Sequence, residues 1–175
     1  HSRGEGQFNM GVFALADKSS NSVNITNYGI YASADSAQTN YAAYLDGDVT
    51  YTGTLSGPSD ARFKQEVQSF DNALNLVSEL NVKTYYFKNT GDAAKLNLPK
   101  QKQFGFIAQE LEKTFPELVT TQKHATGVQV DETPETIEIK GVNYIGLIPV
   151  LTKAIQEQQA MIETLQQRIE ELENQ

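Results

Sequence analysis

Residues 148–172 read IPVLTKAIQEQQAMIETLQQRIEEL, and their periodicity decides how the chain is held together. Ile148, Ile155, Ile162 and Ile169 recur every seven residues, and Leu151, Gln158, Leu165 and Leu172 follow each of them by three. This is the a/d seam of a coiled coil. At about 1.5 Å per residue the segment spans roughly 36 Å, a length that is marginal for an isolated helix and needs a partner. Ile at a with Leu at d favours two strands by the general rule, and Gln158 at a d position is a candidate device for setting the number of chains. Arg168 and Glu173 fall at flanking g and e positions, where an exposed interchain pair adds at most about 1 kcal/mol. A long helix packed only on its own domain fits poorly beyond Gln158, where the residues off the seam are nearly all polar.

Working outward, the rest of the composition narrows the function classes. Among 175 residues, 14 basic and 22 acidic side chains give a formal charge of -8. That balance opposes binding to a phosphate backbone, which draws its free energy from Lys and Arg, so no nucleic acid partner is expected. The absence of cysteine removes disulfides and Cys-ligated metal sites. With only His1 and His124, neither a metal cluster nor a Ser-His-Asp triad is supported, and no metal or cofactor is expected. No apolar run reaches the roughly 18 residues of a membrane helix, so no membrane insertion is expected. The start, His1-Ser2-Arg3-Gly4, has no apolar signal core and lies in polar sequence, which implies a longer protein upstream.

An imperfect repeat occupies the N-terminal third: Asn9-Met10-Gly11-Val12-Phe13-Ala14, Asn27-Tyr28-Gly29-Ile30-Tyr31-Ala32 and Asn40-Tyr41-Ala42-Ala43-Tyr44-Leu45. Each copy alternates, carries an aromatic residue and ends at Asp17, Asp35 or Asp46, which reads as short strands. Such strands bury no core alone and need the next repeat or another chain. A small β-meander packed on the following domain is the alternative. The aromatic residues Tyr28, Tyr31, Tyr41 and Tyr44 suit interchain packing better than a glycan-binding face. Gly53, Ser56, Gly57 and Pro58 punctuate the end of one more expected strand, residues 49–55, and place a boundary at 58.

Beyond the boundary the expected order is helix (71–80), strand (82–87), polar loop (88–102), strand (104–108) and a short helix (109–115) stopped by Pro116. A hairpin with arms at 128–130 and 136–139 about the turn Asp131-Glu132-Thr133-Pro134 precedes the terminal helix. Glu110, Glu112, Asp131, Glu132 and Glu135 fall in a helix and a turn, where exposed charge is the ordinary explanation.

Ser59-Asp60-Ala61-Arg62-Phe63-Lys64 resembles the Ser-Asp-x-Arg-x-Lys motif of the endosialidase-type intramolecular chaperone domains at the C-termini of phage tailspikes, tail fibres and neck appendages. Further blocks follow in the family's order: Asn72-Ala73-Leu74 with Tyr85-Tyr86-Phe87-Lys88, then Gly105-Phe106-Ile107-Ala108-Gln109-Glu110-Leu111 running on to Pro116 and Val119. Val142-Asn143-Tyr144, Leu147-Ile148-Pro149 and Ala154-Ile155 complete them. The resemblance covers residue 59 to about residue 159.

The resemblance implies a domain that trimerises, holds three chains while an upstream β-structure winds into a fibre, and then cuts itself free before the motif serine. Carried over by position, the cleavage site is Pro58-Ser59, Ser59 is the nucleophile, Lys64 its general base, and Asp60 and Arg62 shape the motif. A lysine serves as base if burial or nearby positive charge lowers its pKa, and Arg62 is the candidate source of charge. Ser59 and Lys64 are five residues apart, so they share neither strand face and lie about 140° apart on a helix. The segment must turn. A plain helix cap with solvated Arg62 and Lys64 is the competing reading of the same six residues. Pro58 fixes φ before the scissile bond and limits how its carbonyl can be presented.

The expected fold is α+β: a short β-repeat stalk (1–58), a small mixed α/β domain (59–142) and a long C-terminal coiled-coil helix (143–175), assembled as a homotrimer. Its partners are its own copies and the upstream fibre. The expected location is a virion tail fibre or spike, or a cell surface, with a released domain left in the host cytoplasm. The enzymatic alternative is a self-cleaving serine endopeptidase with a Ser/Lys dyad. The other is a non-cleaving trimerisation or attachment module of a phage-tail-like or bacterial surface protein.

Overall fold

The computed structural model describes residues 28–35, 41–43, 45, 47–126 and 135–174. The chain divides into two compact units, His1–Val49 and Thr50–Gln175.

In the first unit the described residues form no strand. The first repeat copy lies outside the described residues, as do Asn27, Asn40 and Tyr44 of the others. Tyr28, Ile30 and Tyr31 are exposed, with Tyr28 and Tyr31 meeting edge to face at 5.8 Å. Of the segments expected as strands at 27–32 and 40–45, the described residues form no ladder. The strand expected at 49–55 is also absent, replaced by a bend at Thr52 and Gly53.

The second unit opens with a strap, residues 50–72, in which every residue is exposed. It leads into helix α1, Ala73–Ser78, whose first residue, Ala73, is fully buried. Strand β1, Lys83–Tyr85, pairs antiparallel with β2, Gln103–Gly105, in the register Lys83 to Gly105. Both are shorter than the apolar runs that announce them. Phe104 and Val82 remain exposed, so alternation gives this ribbon only one covered face.

Helix α2 is a single turn, Ala108–Leu111, continued by hydrogen bonds that carry Phe115 back onto Leu111 before Pro116 starts a 3-10 turn. The helix expected at 109–115 is thus shorter than its sequence announces, ending at Leu111 rather than at Pro116, which only opens the 3-10 turn. Strand β3, Val119–Thr126, and β4, Glu135–Val142, then form a hairpin with eight paired positions, Val119 opposite Val142 and Thr126 opposite Glu135. The second arm agrees with the expected 136–139. The first arm starts much earlier than expected, because Thr120, Thr121 and Thr126 are β-branched and favour a pleat that hydropathy alone understates. Residues 128–130 and the expected turn lie outside the described residues.

Helix α3, Leu147–Glu173, ends the fold. It packs against α1, and α2 packs against β4, so Ala73, Leu111, Phe115, Ile137, Leu147 and Ala154 make up the buried apolar core. Gly105 is buried where a side chain would strike the Tyr144 hydroxyl. That hydroxyl accepts from the Phe106 N–H at 3.1 Å while the two rings stack at 6.1 Å. The architecture is α+β, with two small antiparallel ribbons and a C-terminal helix.

Candidate functional site

Asp60 builds the turn that the motif demands. Its backbone is extended (φ -68°, ψ 132°), it caps the 3-10 turn Ala61–Phe63, and its Oδ1 accepts from the Arg62 N–H at 2.9 Å. The backbone closes with Phe63 N–H on the Asp60 carbonyl and Lys64 N–H on the Ala61 carbonyl, both at 3.1 Å. Aspartate is suited to this place because its short carboxylate reaches the free N–H groups of a starting turn.

Arg62 folds back onto the same carboxylate. Its Nε donates at 3.2 Å to Oδ1 and 3.1 Å to Oδ2, and Nη2 donates at 2.6 Å to Oδ2. The guanidinium holds the Asp60 carboxyl below its usual range, and the carboxylate in turn raises the Arg62 pKa. Arg62 also lies 5.7 Å from the centre of the exposed Phe63 ring. The arginine is thus engaged with Asp60 through charge-assisted hydrogen bonds.

Lys64 is the first residue after the turn and returns to extended backbone (φ -115°, ψ 143°). This reverses the side chain so that its Nζ lies 3.0 Å from the Ser59 Oγ, donating to it. The turn therefore brings together two residues that neither a strand nor a helix would align. Charged, the amine donates to the hydroxyl; neutral, it can accept the hydroxyl proton along the same line, the exchange that activates a serine. Glu66 follows with φ 53°, a left-handed conformation uncommon for a non-glycine residue. Every residue of the site is exposed in the single chain.

The seam predicted on α3 is also exposed. Ile148 is 60%, Leu151 45%, Ile155 65%, Ile162 42%, Leu165 54%, Ile169 54% and Leu172 69% accessible, and Gln158 is exposed with them. Beside its start lies an apolar cavity of about 560 Å³ lined by Phe70, Phe115, Leu118, Pro149 and Val150, with Lys153 at its edge.

The remaining carboxylates behave as ordinary surface charge. Glu112 pairs with Lys140, and Glu110 lies 3.9 Å from Lys83. Asp131 and Glu132 are outside the described residues, as is the side chain of Glu135. Among the described residues no group of three metal-ligating side chains forms, and no helix is long and apolar enough to cross a membrane.

Two contacts escaped the sequence reading. The Glu157 carboxylate on α3 accepts the Leu74 N–H of α1 at 2.8 Å, and Lys153 lies 2.8 Å from Asp71. The available signal was the spacing of Leu147, Val150, Ala154 and Glu157, a second stripe beside the seam.

Residues 59–120 match the family model for the chaperone of endosialidase, with the match beginning at Ser59. The resemblance read from the motifs is borne out over that span, while the blocks at 142–155 lie beyond it. The long tail fiber protein Gp37 of Salmonella phage S16 is 27% identical over 132 residues, covering 73% of this chain and 16% of the relative. The chain thus spans about a sixth of that relative's length. A solved structure described as "Crystal structure of a novel intramolecular chaperon" aligns with 19% identity over 59% of this chain and 99% of its own, at a TM-score of 0.42.

Proposed function

From the match of residues 59–120 to the chaperone-of-endosialidase family, we propose that the chain is the C-terminal intramolecular chaperone of a phage tail fibre. It joins three copies, assists folding of the β-fibre upstream, and releases itself by cutting Pro58-Ser59. The family match carries the chaperone role, and the tail-fibre relative supports a virion tail location and association with an upstream fibre. The released domain would stay in the host cytoplasm. The division at residue 58 separates fibre stalk from chaperone, and the segment from 143 onward serves as the trimerising helix.

Exposed apolar residues along α3 support assembly. Seven large side chains at a/d positions face water in one chain, a cost removed when helices pack knobs into holes. The family argues for three chains where the heptads alone argue for two.

Ser59 and Lys64 support cleavage. Neutral Lys64 takes the Ser59 hydroxyl proton as Oγ attacks the Pro58 carbonyl carbon. The Pro58–Ser59 C–N bond then breaks, and the lysine returns the proton to the departing nitrogen. The Pro58 acyl group passes to Oγ as an ester. Water hydrolyses the ester, leaving a Pro58 carboxylate and a Ser59 α-amine. The step needs the neutral amine, a form that burial of the site on assembly would favour.

The second reading, a trimerisation or attachment module with an idle dyad, is favoured by the exposure of that site and by the stiffness of Pro58. Denaturing electrophoresis during incubation separates the two. Cleavage yields a stalk band and a band of residues 59–175 that are absent in Ser59→Ala; a single intact band in the parent chain overturns the self-cleaving reading.

A further inference from the structure

Helix α3 carries two adjacent faces. Leu147, Val150, Ala154 and Glu157 recur at spacings of three, four and three, with Leu147 and Ala154 buried against the chain's own domain. The seam beginning Ile148, Leu151, Ile155 and Gln158 is displaced by one residue, about 100° around the axis. Both faces are apolar, so hydrophobic burial alone does not decide which one the domain covers.

Polar contacts with the start of α1 decide it. Asn72, the residue before α1, has φ 65° and makes no side-chain cap. Glu157 takes over that role from the neighbouring helix, accepting the Leu74 N–H at 2.8 Å, with the backbone N–H groups of Ala73 and Asn72 also drawing on the carboxylate. One turn earlier, Lys153 holds Asp71 at 2.8 Å. The two contacts grip α1 at its start from positions i and i+4 of α3. Besides Asp71, Lys153 and Glu157, the ionisable groups of the two packed helices and their flanks are Glu79, just past the end of α1, and Glu163, Arg168, Glu170, Glu171 and Glu173, farther along α3.

We infer that Glu157 and Lys153 are positioning residues for assembly, locking the rotation of α3 against α1 so that the seam from Ile148 to Leu172 faces outward to partner chains. The inference rests on the assembly proposed above. Neither residue lies on the seam, so a direct interchain contact does not account for any effect they have on association.

The test combines sedimentation equilibrium with hydrogen exchange in the full chain. Glu157→Ala is expected to lower the protection of the Leu74 amide about fivefold, the loss of a cap, and to weaken association about tenfold. Glu157→Gln keeps an acceptor and restores most of both. The pH profile supplies a second readout. Backbone N–H groups hold the Glu157 carboxyl below its usual range, so its contribution is present above the unfolded pKa and lost as pH falls through the lower folded value. Leu74 protection in the parent chain therefore drops on acidification, relative to global stability, while that of Glu157→Gln stays level. Variants that lose Leu74 protection but associate like the parent overturn the inference alone. A monomeric parent overturns it together with the assembly reading.

Discussion

The Lys64 ammonium lies 3.0 Å from the Ser59 hydroxyl oxygen across one 3-10 turn, and both side chains are open to water in the single chain. The pair has the distance that proton transfer needs, in surroundings that are open rather than buried. Lys64→Arg keeps a cation and a donor but cannot be deprotonated near neutral pH. It is expected to cut release of residues 59–175 at least about a hundredfold while leaving sedimentation unchanged. Cleavage at the parental rate in Lys64→Arg would remove Lys64 from the role of base.

Asp60 and Arg62 set the turn, and their effect should be indirect. Asp60→Asn keeps an acceptor for the Arg62 N–H but loses the fork, so cleavage is expected to slow about tenfold through misplacement of Lys64. Because the Asp60 carboxyl is held below its usual range, the turn persists above the unfolded carboxylate pKa and is lost as pH falls through the depressed value. Backbone exchange at Arg62 between mild and strong acid follows this change, and Asp60→Asn should show none of it.

Gly105 and Tyr144 are coupled by contact. Gly105→Ala places a Cβ against the Tyr144 hydroxyl and is expected to cost about 1–3 kcal/mol by overpacking. Tyr144→Phe alone should cost about 1 kcal/mol, leaving the Phe106 N–H without its acceptor. The pair should be less destabilised than the sum of its parts, since removing the hydroxyl also removes the clash. Additive costs in urea unfolding would contradict the packing described.

How much of this was visible in the sequence varies with the range of the forces involved. The apolar period of α3 announces a long helix whatever surrounds it, whereas α2 ends at Leu111, short of the stop that Pro116 led the sequence to suggest. The turn at Ser59 was demanded by the spacing of its ends. The start of β3 was not legible, because Thr120 and Thr121 gain their place by pairing with Gly141 and Lys140 across the hairpin. Glu157 was unreadable for a similar reason: its partner is 83 residues earlier, at Leu74. The engagement of Arg62 with Asp60 was hidden because two opposite charges at spacing two meet only on a turn.

Gln158 should matter more in the assembly than in the chain. Gln158→Leu completes the apolar seam and is expected to stabilise the assembled form by about 1.5 kcal/mol per chain, raising its Tm. If Gln158 sets the number of chains, the same change alters the stoichiometry as well. A Tm below that of the parent would contradict a buried seam position.

The mass of the folded species tests assembly most directly. Sedimentation equilibrium of the whole chain at neutral pH is predicted to give three times the 19.4 kDa chain mass, falling to one chain when Ile162 and Leu165 are replaced by Asp. A parent chain that sediments at 19.4 kDa across the micromolar range would contradict the claim that this domain assembles fibres by joining its own copies.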